Sequence, residues 1–184
     1  MMLMISGLVI FLGIHLLPMF ANTRNAVCRK LGDNAYRGLF SLIAATGLGL
    51  IIWGMSRAPF VPLLEPPAFA RPMAIAVMPV VFILLAAAQM PGHLRRLLRH
   101  PMLIATLLWS TVHVLANGDQ ASLVLFGSFG LWAGMDLISA SLRTNSKAKQ
   151  AASWRMDAAA IALGLLAYVL VARFHGALFG VPLV

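Results

Sequence analysis

Residues Arg99–Asp119 read RHPMLIATLLWSTVHVLANGD. Pro101 suits the first turn of a helix, where its missing N–H has no partner to lose. The run after it is apolar except for Thr106, Trp109, Ser110, His113 and Asn117, spaced three or four apart and so sharing one helical face. Asn117-Gly118 marks the stop through residues that tolerate left-handed backbone, and Asp119 is placed to cap the next helix. This is the pattern of a membrane-crossing helix with a histidine inside it, and such a histidine needs a partner or a task.

Beyond this stretch the same apolar character recurs. The 184-residue chain is 61 % hydrophobic and 10 % charged, far from the balance of a soluble domain. Six apolar runs, about 2–20, 38–55, 72–90, 102–117, 121–142 and 157–174, read as long enough to cross a hydrocarbon core of roughly 30 Å. They leave no room for a soluble domain. The expected fold is all-α: one integral-membrane domain over residues 1–184, a six-helix bundle in the lipid bilayer.

The net charge of +9 does not point to nucleic acid, because the cations fall where topology needs them. Arg24, Arg29, Lys30 and Arg37 lie in the first loop, Arg95, Arg96 and Arg99 in the third, and Arg143, Lys147, Lys149 and Arg155 in the fifth. Only Arg57, Arg71 and Arg173 lie elsewhere. The positive-inside rule then makes the odd loops cytoplasmic and puts both termini outside. The first apolar run has its positive charge after it rather than before, so a retained helix is expected, not a cleaved signal. The lone Cys28 makes no disulfide or C-x-x-C-H motif.

Between the runs, 21–37 reads as a polar, basic loop with a turn at Gly32-Asp33-Asn34. The second loop, with Pro59, Pro62, Pro66 and Pro67, reads as an extended segment at the outer surface. Gly47, Gly49 and Gly54 in the second run are close-packing sites, and Pro79 is a candidate kink in the third. Gly127, Gly130 and Gly134 leave room on the fifth for a helix or a flat ligand.

Ionisable groups inside a membrane usually face the bundle interior. Three are deep: His15, His113 and Asp136. For His113 two readings stand, an interhelical hydrogen bond within the Ser110 and Asn117 stripe or a ligand role. His15 is open to the same choice. Its depth differs from that of His113 by about 8 Å, an offset that suits opposite faces of one tilted macrocycle, and neutral imidazole is a common axial haem ligand. A zinc site would need more ligands than the core holds. Asp136, near the depth of His15, either bonds that histidine's other ring nitrogen or pairs with Arg143. His93 and His100 are expected to be solvated in the third loop, and His175 to lie beyond the last helix.

His15 in the first helix, the RHPM–LLWSTVHVLANGD block and the LVLFGSFGLWAGMD after it resemble the NnrU family of bacterial membrane proteins over nearly the whole chain. The family is similar to plant 15-cis-zeta-carotene isomerase, a membrane enzyme with haem b. The resemblance implies a bacterial inner-membrane protein with non-covalent haem b, His15 and His113 as axial ligands, and a redox or gas-linked role in nitrite and nitric oxide metabolism. Trp109 and His113 match the isomerase's W-C-x-x-H segment, but Ser110 stands where that enzyme has cysteine, a departure that weighs against isomerase chemistry. A haem-dependent isomerase of a carotenoid-like polyene, taking an apolar small molecule, is the alternative, and a cofactor-free transporter or assembly factor the third reading. Arg99-His100-Pro101 also resembles the RHPxY of membrane methyltransferases, but Met102 comes after the proline and the only glutamate, Glu65, is on the other side.

Overall fold

The computed structural model describes residues 1–142 and 151–180 and contains, among them, eight α-helices. They are α1 (Met2–Leu16, extended by a 3-10 turn at Leu17–Met19), α2 (Ala21–Leu31), α3 (Asp33–Ser56), α4 (Ala70–Ala87), α5 (His93–Leu98), α6 (Pro101–Ala116), α7 (Gln120–Leu142) and α8 (Trp154–Phe179). Five apolar segments are long enough to cross a membrane: 2–19, 33–56, 70–87, 120–142 and 154–179. At 16 residues, α6 is about 24 Å long, shorter than any of these five. The chain is a multi-pass, all-α membrane protein. Arg143, Lys147 and Lys149 lie outside the described residues.

Each expected apolar run becomes a helix, but the polar stretches hold more structure than their composition suggests. Residues 21–31 form α2, ended by Gly32 at φ +80°, and 93–98 form α5. Both are short, basic and amphipathic, so hydropathy alone does not separate them from loops. The last helix runs on to Phe179 and is closed by Gly180 in the left-handed region. His175 is therefore inside α8 rather than beyond it, because Gly176 does not break the helix.

The lateral order is α3, α1, α7, α6, α4, α8: α1 packs mainly on α3 and more lightly on α7, and α4 lies between α6 and α8. The α1–α3 contact is a backbone-to-backbone one. A methyl group on Gly54 would strike the backbone nitrogen of Met4, one on Gly47 would come within 2.7 Å of the Phe11 nitrogen, and one on Gly7 within 2.6 Å of the Ile51 nitrogen. Association inside lipid depends on such close approach, since the tails are as apolar as the side chains. Gly164 on α8 does the same against Ile83 of α4, whereas Gly49 meets nothing within 4 Å and takes no part in packing. Helices α1 and α7 run parallel and in step. Met4 and Leu8 sit with Ala121, Leu125 and Phe126, and further along Leu12, Leu16 and Met19 sit with Trp132 and Ala133.

The second loop is docked rather than merely extended. The N–H groups of Leu63 and Leu64 donate to the Gly118 carbonyl at 2.7 and 3.0 Å, and the N–H of Gln120 donates to the Val61 carbonyl. Asp119 caps α7 as expected, accepting the Ser122 N–H at 3.0 Å. Asn117, however, is extended at φ −117°. Gly118 is required for close approach, since a side chain there would strike the Leu64 carbonyl. The left-handed non-glycine residue among those described is Arg99, φ 58°, at the corner between α5 and α6.

Gly54→Val is expected to separate α1 from α3 and cut thermal stability sharply, because backbone cannot yield as a flexible side chain can. Gly49→Ala should be neutral or slightly stabilising through its better helix propensity. A thermal melt in detergent reads both, and equal losses would refute the close-packed seam.

Candidate functional site

Both deep histidines are held by their own helices. The Nδ1–H of His15 donates to the Phe11 carbonyl at 2.6 Å, and the Nδ1–H of His113 donates to the Trp109 carbonyl at 2.8 Å. A carbonyl only accepts, so Nδ1 carries the proton in each ring. In a neutral imidazole that leaves the lone pair on Nε2. Among the described residues neither Nε2 has a hydrogen-bond partner. Two acceptor nitrogens of the kind that ligates iron are thus prepared inside the bundle.

Their surroundings are aromatic. His15 is enclosed by Phe11 of its own helix, Phe40 of α3 and Trp132 of α7, at ring-centroid distances of 4.3, 5.1 and 5.7 Å. His113 packs on Trp109 at 5.5 Å and Phe126 of α7 at 4.6 Å. A chain of rings joins the two: Phe11 to Phe129 at 5.6 Å, then Phe129 to Trp109 at 5.5 Å. Along α7, the partners Phe126 and Trp132 are six residues apart, about 9 Å, close to the offset read from the sequence. With metal–imidazole bonds of about 2 Å, a single iron between both rings needs the Nε2 atoms about 4 Å apart. The ring contacts of Phe11, Phe129 and Trp109 run from one histidine to the other, and the spacing along α7 is larger than that requirement.

The other expected site residues have mostly local partners. Ser110 is buried, donates to the Leu107 carbonyl at 3.1 Å and faces Gly130 of α7. The Asn117 amide donates to the His113 carbonyl at 2.8 Å and so ends α6. Thr106 and Thr111 likewise bond carbonyls one turn back. The polar stripe thus satisfies itself within α6, and it is the Trp109 carbonyl that orients His113. Asp136 is half-buried, one turn beyond Trp132 on α7. The protonated nitrogen of His15 goes to Phe11 rather than to this carboxylate. The expected alternative partner of Asp136, Arg143, lies outside the described residues. Gly130 serves the α6–α7 contact, while Gly127 and Gly134 border an open apolar groove of about 600 Å³. Among the described residues, no three His, Cys, Asp or Glu side chains gather to hold a metal ion.

Trp132 is a site residue that sequence reading passes over. Among the described residues its buried indole Nε1–H has no hydrogen-bond partner, and its ring stands nearly perpendicular to His15, at 82°. Nothing in its sequence context sets it apart from the other tryptophans; only its place beside His15 reveals it. An unpaired buried donor is costly, so this N–H marks a place for an acceptor.

The third-loop histidines are not simply solvated. Asp157 on α8 accepts the backbone N–H and the Nδ1–H of His93, both at 2.9 Å, and the Leu94 N–H at 3.0 Å. The His93 ring stacks on Trp154 at 4.0 Å, and the buried Nε2 of His100 has no hydrogen-bond partner among the described residues. From the first turn of α8, the Asp157 carboxylate thereby ties α5 to α8.

Fold and site together define a multi-pass helical membrane protein with two imidazoles fixed inside an aromatic layer. The chain matches the family model described as NnrU protein over residues 3–183, and it belongs to that family. No curated protein and no solved structure matches it.

Trp132→Phe removes the unpaired donor while keeping an aromatic ring. The protein without cofactor is expected to be as stable as the parent, or more so by about 1–3 kcal/mol, in a chemical or thermal melt. A clear loss of stability would mean that the indole N–H already has a partner.

Proposed function

We propose that this NnrU-family chain binds haem b non-covalently through an imidazole of His15 or His113, and serves a redox or gas-linked role in nitrite and nitric oxide metabolism. The observation that carries this reading is the pair of half-buried rings with Nδ1 tied to a carbonyl one turn back and Nε2 uncommitted. Hydrogen bonds of that kind fix tautomer and ring orientation in metal-ligating histidines. The unpaired Trp132 N–H beside His15 supplies a donor for an acceptor atom of a bound group. The residues present fit one imidazole per iron; they fit a clamp on a single iron only if Phe11, Phe129 and Trp109 move apart.

Held by the imidazole of His15 or His113, haem b would supply a redox-active iron, chemistry suited to electron transfer or to a diatomic gas. The chain's own contribution is to orient the ligating ring, exclude water with the aromatic layer, and keep the second imidazole apart. The isomerase alternative gains no support from Ser110, whose hydroxyl is committed to Leu107 and wedged against Gly130.

Two measurements test this reading. After expression with haem supplementation, His15→Ala and His113→Ala are expected to act unequally: one abolishes the Soret band and the other leaves most of it. Equal and complete loss from both would favour a shared iron, and a parent protein that takes up no haem would remove the cofactor reading. For topology, the charge distribution favours Lys30 and Arg96 in the cytoplasm of an inner-membrane protein with both termini outside. Reporter fusions after Lys30 and Arg96 should give cytoplasmic signals, and a cytoplasmic signal from a fusion after Val184 would reverse the orientation.

A further inference from the structure

Where α5 meets the start of α8, a groove of about 750 Å³ is lined by the polar His93 and Arg96, by Trp154, and by the apolar Leu97, Ala158 and Ile161. We propose that this groove binds an acidic phospholipid, with the anionic headgroup at Arg96 and an acyl chain along Leu97 and Ile161.

Three observations favour this occupant. Charge is the first: Arg96 lines the groove, Arg95, Arg99 and Arg155 are exposed close to its lining residues in sequence, and the one acidic residue lining it, Asp157, is already committed to His93 and Leu94. The cations therefore have no free protein anion in the groove to pair with. A zwitterionic headgroup brings its own cation and competes poorly for such a cluster, whereas an anionic lipid is drawn to it by about fivefold per cation near the surface. Exposure is the second: Leu97 is 78 % and Trp154 74 % exposed, directly beside arginines. An apolar side chain and an indole so placed belong at the boundary between headgroups and tails, where aromatic residues anchor and arginine stems lie along apolar surface with the charge outward.

Rigidity is the third. Asp157 ties the start of α5 to α8, the Ser153 N–H donates to the Pro91 carbonyl at 3.1 Å, and His93 stacks on Trp154. A side chain on Gly92 would strike the Asp157 carboxylate. The groove is thus built by fixed contacts between two helices and is not a chance gap. None of its lining residues touches His15 or His113, so it stands or falls independently of the haem reading.

Trp154 is its built-in probe. The full chain is reconstituted in phosphatidylcholine vesicles containing, at equal mole fraction, either brominated phosphatidylglycerol or brominated phosphatidylcholine. The quenching removed by Trp154→Phe isolates the signal of that indole from those of Trp53, Trp109 and Trp132. The expected result is severalfold stronger quenching by the brominated phosphatidylglycerol, reduced to the phosphatidylcholine level by Arg96→Gln and unchanged by Arg24→Gln on the distant α2. Leu97→Ser should weaken quenching by both lipids. Equal quenching by the two lipids in the parent overturns the proposal, as does an Arg96→Gln protein that keeps the preference. Absence of quenching by either lipid overturns it as well, because the groove would then hold no acyl chain beside Trp154.

Discussion

A polar group inside a lipid-embedded helix has one acceptor always within reach, the carbonyl one turn back. That constraint organises the interior of this protein. With no water in the hydrocarbon region, an unpaired N–H or O–H costs several kcal/mol. His15 uses Phe11, His113 uses Trp109, Thr106 uses Met102 and Ser128 uses Val124. For hydroxyls the bond ends the matter. An imidazole has a second nitrogen, and bonding the first through its proton leaves the second as an oriented acceptor. The solution that hides a histidine in the membrane is the same one that readies it as a ligand.

The bundle then decides what each ready nitrogen can meet. The glycine seam between α1 and α3 presses those helices together and sets His15 among Phe11, Phe40 and Trp132. The α6–α7 contact, with Ser110 against Gly130, sets His113 on Phe126. Because α1 reaches α6 by way of α7, Phe11, Phe129 and Trp109 link the two histidines through successive ring contacts. Short α6 contributes here too, since its polar end stops at Asn117 and is locked by the proline-rich segment docking on Gly118.

Much of the fold is legible in the sequence, because the period and length of apolar runs are direct consequences of the bilayer. The six apolar helices, the Pro101 start and the Asp119 cap all come from local chemistry. The misread elements have a common cause: they are defined by partners. Nothing in ANTRNAVCRKL or HLRRLL alone separates an amphipathic interfacial helix from a polar loop, and Asp157, in the first turn of α8, gives no local sign that it will also reach across to α5. At the site, the depth of His15 and His113 is readable from distance along each helix, but their mutual relation is not. Helical spacing puts Ser110, His113 and Asn117 on one face without saying that each will bond its own backbone. The role of Trp132 depends on His15, far away in sequence and brought close only by the packing of α1 on α7.

The central claim is that the two imidazoles are held apart, each prepared on its own. Electron paramagnetic resonance of the ferric protein, purified with haem in mild detergent, tests it most directly. Iron carried on a single imidazole is expected to give an axial high-spin signal. A rhombic low-spin signal of bis-imidazole ligation, lost in both His15→Ala and His113→Ala, would contradict it.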